Sequence, residues 1–317
     1  MGETAPSRWA LGETRGGGRS TGPGLDYRHP RVQRLRRLLG RRSARENEHR
    51  FVIEGANLLE EALRAQAEVE AVFLGAGWDR TAAGPEGQAT GSEGRLAELV
   101  ERSYATGARV FELAPGALER VAGTVSPQPV MAVCAMPEHG LEELRAAHPQ
   151  LLVVCVDVRD PGNAGTLVRS AWAAGVSGVV CSLGTVDIWN PKAVRSSAGA
   201  VFHVPVVQAG APGALLDELG AWGLDRWGAV PEGGTDYDRL DLTRPCAFVV
   251  GNEAAGLPVQ ELLAHLDGLV SIPMPGGAES LNVGTATAVL CFEALRQRRG
   301  GTIALPGGLA AGKLASS

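Results

Sequence analysis

Three polar, glycine-rich segments each follow a run of apolar residues that reads as a buried strand: DPGNAGTLVRSAWAAG from Asp160 to Gly175, GNEAAGL from Gly251 to Leu257, and IPMPGGAESLNV from Ile272 to Val283. Open α/β sheets gather ligands at the carboxyl ends of their strands, so the three loops are expected to form one site. In the first, Gly162 and Gly165 allow a tight turn, Asn163 can cap a helix or donate from its amide, and Arg169 lies about two turns in. In the second, Gly251 and Gly256 permit close backbone approach, while Glu253 brings a carboxylate to the same edge. In the third, two prolines and two glycines shape a rigid loop, and Ser280 precedes a helix with small residues at Gly284, Ala286 and Ala288. Taken singly, these segments read equally well as a capped helix, a glycine turn with an exposed acid, and a Ser-capped helix. Together they offer a guanidinium, amides, a hydroxyl and a carboxylate at one sheet edge. No GxGxxG follows a predicted strand and no Walker-type GK[ST] occurs, which disfavours a dinucleotide site and nucleotide hydrolysis. His203 stands alone in an apolar run and reads as a satisfied core residue rather than a catalyst.

The elements that must hold these loops follow from periodicity. From about Leu151 to Arg299 the chain opens with LLVVCVDV, a continuous apolar run suited to a parallel strand covered on both faces. Helix-like and strand-like pieces then alternate: Ala164–Ala174, Gly178–Leu183, Pro191–Ala198, Phe202–Val207, Pro212–Trp222, Arg226–Val230, Cys246–Val250, Val259–Leu266, Leu269–Ile272 and Leu281–Arg298. That order is α/β with a mainly parallel sheet. Upstream, from about Tyr27 to Met136, lies a smaller α/β domain with helical spacing at Val32, Leu35, Leu38 and Leu39 and again from Asn57 to Ala67. Strands are expected there at Val69–Leu74, Ala108–Leu113 and Val130–Ala135, with Asp79–Arg95 as an exposed loop. Residues 137–150 join the halves and include a short charged helix, Glu142–Ala147. Met1–Asp26 and Gly300–Ser317 lack apolar periodicity and are expected to be disordered tails.

At 317 residues the chain is long enough for two domains, and 44% hydrophobic with 21% charged residues is a soluble globular composition. Its longest apolar runs are too short to span a bilayer and its first residues lack the apolar core of a signal peptide, so a cytoplasmic protein with no membrane role is expected. The five cysteines, Cys134, Cys155, Cys181, Cys246 and Cys291, are scattered without CxxC or Cys/His spacing and read as buried reduced thiols, with no metal site. The net charge of −5 argues against a uniformly basic nucleic-acid binder, yet Tyr27–Arg50 holds nine Arg and two Glu, leaving −12 on the remainder. One segment is therefore polarised toward polyanions.

The three segments, in this order, resemble the three motifs of the SpoU/TrmH family of the SPOUT superfamily, whose members methylate ribose 2'-hydroxyls of structured RNA. The intervening NPKAVRSSAGAVFHVPV, from Asn190 to Val206, resembles a family segment as well. FVIEGANLLEEAL and SPQPVMAV are similar, less specifically, to the substrate-binding domain many members carry. The resemblance implies a SPOUT-type trefoil-knot domain, residues 151–299, preceded by a smaller RNA-binding domain, residues 27–136, and dimerisation through the knot. It assigns catalytic positions to Arg169, Asn163, Glu253, Ser280 and Asn282, and an S-adenosyl-L-methionine pocket to Val230, Gly251, Ile272, Met274 and Leu281. RNA contacts are expected from Arg31, Arg34, Arg41, Arg42 and Arg45 in the basic segment, and from Arg195.

Methyl transfer from a sulfonium needs alignment more than covalent help, whereas a ribose hydroxyl must lose its proton as it attacks. The resemblance implies Arg169 as the base, but a guanidinium normally keeps its proton, so two roles stay open. It is either that base or a cation that holds phosphate and stabilises the developing alkoxide. The expected activity is ribosomal RNA 2'-O-methylation, of the large subunit, in a housekeeping or an antibiotic self-resistance role. Transfer RNA is the alternative substrate, and a non-catalytic RNA-binding assembly factor is the alternative of another class.

Overall fold

The computed structural model describes residues 24–78, 91–122 and 127–300. The expectations for residues 1–23 and 301–317 as tails and for residues 79–90 as a loop lie outside the described residues.

Val32, Leu35 and Leu38 fall on one face of α1 (Pro30–Gly40) and are fully buried, as their spacing predicts. A short α2 (Arg42–Glu48) ends at His49 in the left-handed conformation. There follow β1 (Arg50–Glu54), α3 (Ala56–Arg64), β2 (Val69–Leu74), α4 (Gly91–Ala105), β3 (Arg109–Glu112), α5 (Ala117–Ala122) and β4 (Val130–Ala135). These strands form a sheet of order β1-β4-β2-β3, antiparallel except for β2-β3. Two expectations are corrected here. The loop expected through Arg95 gives way to α4, because Leu96, Leu99 and Val100 bury a helical stripe behind a glycine-rich start that conceals it. Nor is Leu25 part of a free tail, since its backbone bonds to Glu112 and Ala114.

After α6 (Leu141–Ala146) come β5 (Leu151–Cys155), α7 (Pro161–Ala173), β6 (Gly178–Cys181), α8 (Pro191–Ser196), β7 (Val206–Gln208), α9 (Pro212–Ala221), β8 (Asp225–Ala229), β9 (Thr235–Asp236), β10 (Cys246–Val250), α10 (Val259–Leu262), β11 (Gly268–Ser271) and α11 (Val283–Gly300). The seven strands pair in the order β7-β6-β5-β10-β8-β11-β9, all parallel. Along β5 the side chains alternate between two cores, with Leu151, Val153 and Cys155 in one and Leu152 and Val154 in the other. The run expected as a strand from Phe202 begins instead as a 3-10 turn over Ala200–Phe202, and the helix expected through Leu266 stops at Leu262 before a second such turn. All five cysteines are buried and free. No helix among the described residues is long and apolar enough to cross a membrane.

The two sheets share a core. Phe51 on β1 is fully buried, with its ring 4.8 Å from that of Trp189 and 5.6 Å from that of Phe202. Beside it Arg45 is 3% exposed: its Nε donates to Asp187 Oδ2 at 2.8 Å and its Nη1 to the Leu38 carbonyl at 2.6 Å. This overturns the expectation that Arg45 contacts RNA, because burial and a satisfied ion pair leave it no donor facing solvent. Removing one partner of a buried pair strands the other charge, so Arg45→Ala is expected to destabilise the protein by about 3–5 kcal/mol in urea unfolding. A loss under ~1 kcal/mol would mean that the pair contributes no net stability.

Candidate active site

The site is built by four loops leaving the carboxyl ends of β5, β10, β8 and β11, which are adjacent in the sheet. After β5 the chain turns through Asp157 at φ 55, and Asp160 caps α7 by accepting from the Asn163 backbone N–H at 2.9 Å. Pro161 stands at the start of the helix, where its missing N–H costs nothing. The other Asp160 oxygen accepts from Lys192 Nζ at 2.7 Å, and this ammonium, with the Asn163 N–H, holds the Asp160 carboxyl below the usual range. Helices α7 and α8 touch at Gly165, where a Cβ would lie 1.9 Å from Ser196 Oγ and 2.2 Å from the Ala193 carbonyl oxygen. Only glycine fits there.

Glu253 ties the loops together. Its Oε1 accepts from the Asp160 N–H at 2.9 Å and from Asn163 Nδ2 at 3.1 Å, and its Oε2 accepts from the Arg159 N–H at 3.1 Å. Partial burial opposes its charge, but the backbone N–H groups of Arg159, Asp160 and Glu253 itself, with the Asn163 amide, outweigh that and keep its carboxyl below the ordinary Glu range. Asn163 continues the chain: its Oδ1 accepts from Asn282 Nδ2 at 2.7 Å. Asn282 Oδ1 in turn accepts from the Gly284 N–H at 2.9 Å, which caps α11. The cap expected of Ser280 is therefore made by Asn282, since α11 begins at Val283 and leaves Ser280 too far upstream to reach its first N–H groups. Ser280 is exposed in the loop.

Arg169, two turns into α7, is exposed and makes no hydrogen bond or ion pair among the described residues. Val230, Gly251, Ile272, Met274 and Leu281 line one cavity of about 650 Å³, which Glu253, Ser280 and Asn282 also border. Gly251 is required because its own loop folds back on it: a Cβ would lie 2.3 Å from the Leu257 nitrogen. Apolar walls from Val230, Ile272 and Leu281 suit a flat base, and the size is that of a nucleoside-like ligand. The lining carries Glu232, Glu253 and Glu279 but no Lys, Arg or His among the described residues, a charge set that suits a cationic group and disfavours phosphates.

The basic segment is divided. Arg34 is held by Glu48 at 2.5 Å and Glu70 at 2.6 Å, and Glu70, also paired with Arg50, has its carboxyl pulled down to about 2. Arg31 lies over the Phe111 ring at 4.6 Å, Arg42 pairs with Glu46 at 2.6 Å on an exposed face, and Arg41 is exposed. Arg195 reaches across to Glu54 of β1 at 3.2 Å. Sequence reading missed Asp160, Lys192 and Asn252. The Asp-Pro pair at a helix start signals the first as a cap, whereas the other two act through contacts distant in sequence. Asn252 Nδ2 donates to the Asp157 carbonyl at 2.9 Å, joining the second loop to the first. His203 is satisfied by Glu61 at 2.9 Å, as expected.

A seven-stranded parallel α/β sheet with a small-molecule pocket at its carboxyl edge, carrying a smaller sheet at its amino end, is the architecture of a SpoU-type methyltransferase with a substrate-binding domain. Residues 150–292 match the SpoU rRNA Methylase family and residues 29–132 match the MRM3-like substrate binding domain. The 23S rRNA (guanosine(2553)-2'-O)-methyltransferase RlmP of Bacillus subtilis is 37% identical over 242 residues, 76% of this chain and 87% of that protein. The crystal structure of an rRNA methyltransferase from Sinorhizobium meliloti superimposes with a TM-score of 0.72 at 28% identity, covering 86% of this chain and 96% of that one. The SpoU methyltransferase AviRb of Streptomyces viridochromogenes, solved in complex with the cofactor AdoMet, gives a TM-score of 0.71 at 28% identity, with 86% and 100% covered. This chain belongs to the SpoU methylase family.

Proposed function

We propose that the protein transfers a methyl group from S-adenosyl-L-methionine to a ribose 2'-hydroxyl of large-subunit ribosomal RNA. The observation that carries this is the single hydrogen-bonded chain Glu253–Asn163–Asn282, which joins the three loops beside a phosphate-averse pocket, with an arginine unpaired among the described residues further along the helix that carries Asn163. Relatives named as 23S rRNA 2'-O-methyltransferases support the substrate class. Val230, Gly251, Ile272, Met274 and Leu281 would hold the cofactor, whose sulfonium supplies an activated methyl group when bound. Asn163, Glu253 and Asn282 fix the relative position of the loops around it. Arg169 acts as a cation: exposed and free of carboxylates among the described residues, it is available to hold a substrate phosphate and to stabilise the alkoxide as the hydroxyl loses its proton to solvent. Glu253 is a poor base, because both its oxygens are engaged by donors. Ser280 stands at the pocket rim, where its hydroxyl can meet the incoming ribose.

In this reading residues 27–136 are the RNA-binding domain, residues 151–299 the knotted methyltransferase domain, and the enzyme a cytoplasmic homodimer. Phe292, 46% exposed on α11, supports a subunit contact there. The decisive test is incubation with labelled S-adenosylmethionine and separate ribosomal and transfer RNA pools, followed by mapping of the modified nucleotide. Label in transfer RNA alone would reject the substrate assignment.

The RNA surface of the amino-terminal domain narrows to Arg31, Arg41 and Arg42, and Arg195 on α8 is a further contact from the other domain. The exposed Arg42–Glu46 pair is weak enough to open for a phosphate. Neutralising the first three is expected to weaken RNA affinity about tenfold or more and to reduce the slope of log affinity against log salt by roughly 2, since fewer counterions are released. Equal slopes would move recognition to another face.

A further inference from the structure

The exposed side of α7 carries a second feature beside Arg169. Trp172 is one turn further along, 39% exposed, and its ring lies flat against the imidazole of His203, with centroids 4.3 Å apart and planes 4° from parallel. Residues three apart on a helix share a face, so the indole and the Arg169 guanidinium are neighbours. The stack is braced from α3 of the amino-terminal domain. His203 Nε2 is 2.9 Å from Glu61 Oε2 on α3, and both side chains are largely buried. Gly199, at φ +92, lets this brace form: a Cβ there would lie 2.6 Å from the Glu61 Cβ. One ring face is therefore covered by a fixed imidazole, while more than a third of the residue remains open to solvent.

We propose that Trp172, backed by His203 and Glu61, is a stacking platform for an unpaired base of the RNA next to the nucleotide that is methylated. The inference rests on the reading of this site as an RNA methyltransferase. A flat aromatic face beside an unpaired guanidinium matches a nucleotide part by part, with the base on the indole and its phosphate on Arg169. Three residues of helix span about 4.5 Å, within the reach of one nucleotide. Sequence-specific recognition of RNA relies on unstacked bases laid on aromatic side chains, and such stacking tolerates any base identity. Because its brace comes from α3 of the amino-terminal domain, the platform joins the domain that would choose the RNA to the helix that carries Arg169.

The test uses the full chain and an unmodified 23S rRNA transcript. Trp172→Ala is expected to weaken RNA binding and raise KM for the transcript by about 10- to 100-fold, and Trp172→Phe to recover most of it. Cofactor affinity, melting temperature and oligomeric mass should stay at wild-type values. RNA should also quench the fluorescence that distinguishes wild type from Trp172→Phe. Unchanged RNA affinity in Trp172→Ala overturns the platform even if the wild type methylates normally. A lowered oligomeric mass in that variant overturns it as well and makes Trp172 a subunit contact. A wild type that binds cofactor but methylates no RNA counts against the proposed function instead, and RNA affinity still decides the platform.

Discussion

Arg169→Ala is expected to lower kcat for methyl transfer by at least ~100-fold while leaving the dissociation constant for S-adenosylmethionine within about twofold of wild type. Arg169 faces solvent from α7 and does not line the 650 Å³ cavity, so in the proposed mechanism its loss removes charge stabilisation on the acceptor side only. Retained cofactor binding separates this from misfolding, and isothermal titration beside a single-turnover assay reads both. Arg169→Lys keeps the charge without the forked geometry and should fall between the two. Near-normal turnover of the Ala variant would remove Arg169 from the mechanism.

Breaking the Glu253–Asn163–Asn282 chain should be nearly as costly. Glu253→Gln replaces one acceptor oxygen by a donor facing N–H groups that already donate, so the β5 and β10 loops should separate. A displacement near 1 Å at reacting groups is worth about 100-fold in rate, and that is the expected loss. Asn282→Ala frees the oxygen at the other end of the Asn163 amide, whose nitrogen donates to Glu253, and also uncaps α11. The double variant should therefore fall little below either single one, because the residues act as one unit. Full additivity in kcat/KM would show that the links act independently. The pH dependence carries a sign as well. The Glu253 carboxyl is lowered in the folded protein, so its contribution is present above the ordinary Glu range and is lost only as pH falls through the lowered value. Between pH 6 and 9 the Gln variant should keep the wild-type profile at a reduced plateau. An acid limb near neutrality that vanishes in Glu253→Gln would instead make Glu253 the base.

Much of the fold was legible. β10 was expected at Cys246–Val250 and is found there, because a run buried on both faces has no polar residue to blur its ends. Elements failed where local composition misled. α4 starts among glycines, and β1 is three buried residues between charged ones. The basic segment shows the same limit: nine arginines within 24 residues say that charge is concentrated, not which of them reach solvent.

The sequence by itself determined the alternation of strands and helices, the three loops at one sheet edge, and the residue types each loop brings, because periodicity and turn chemistry are local properties of the chain. Only the tertiary structure decided that Glu253, Asn163 and Asn282 form one hydrogen-bonded chain, that Arg45 is an internal pair with Asp187, and that Trp172 is braced by Glu61. Each of those contacts joins residues some 90 to 142 positions apart, Trp172 to Glu61 by way of His203. Burial and partnership at that range depend on how layers pack, and no local pattern encodes which of several like-charged side chains the packing will enclose.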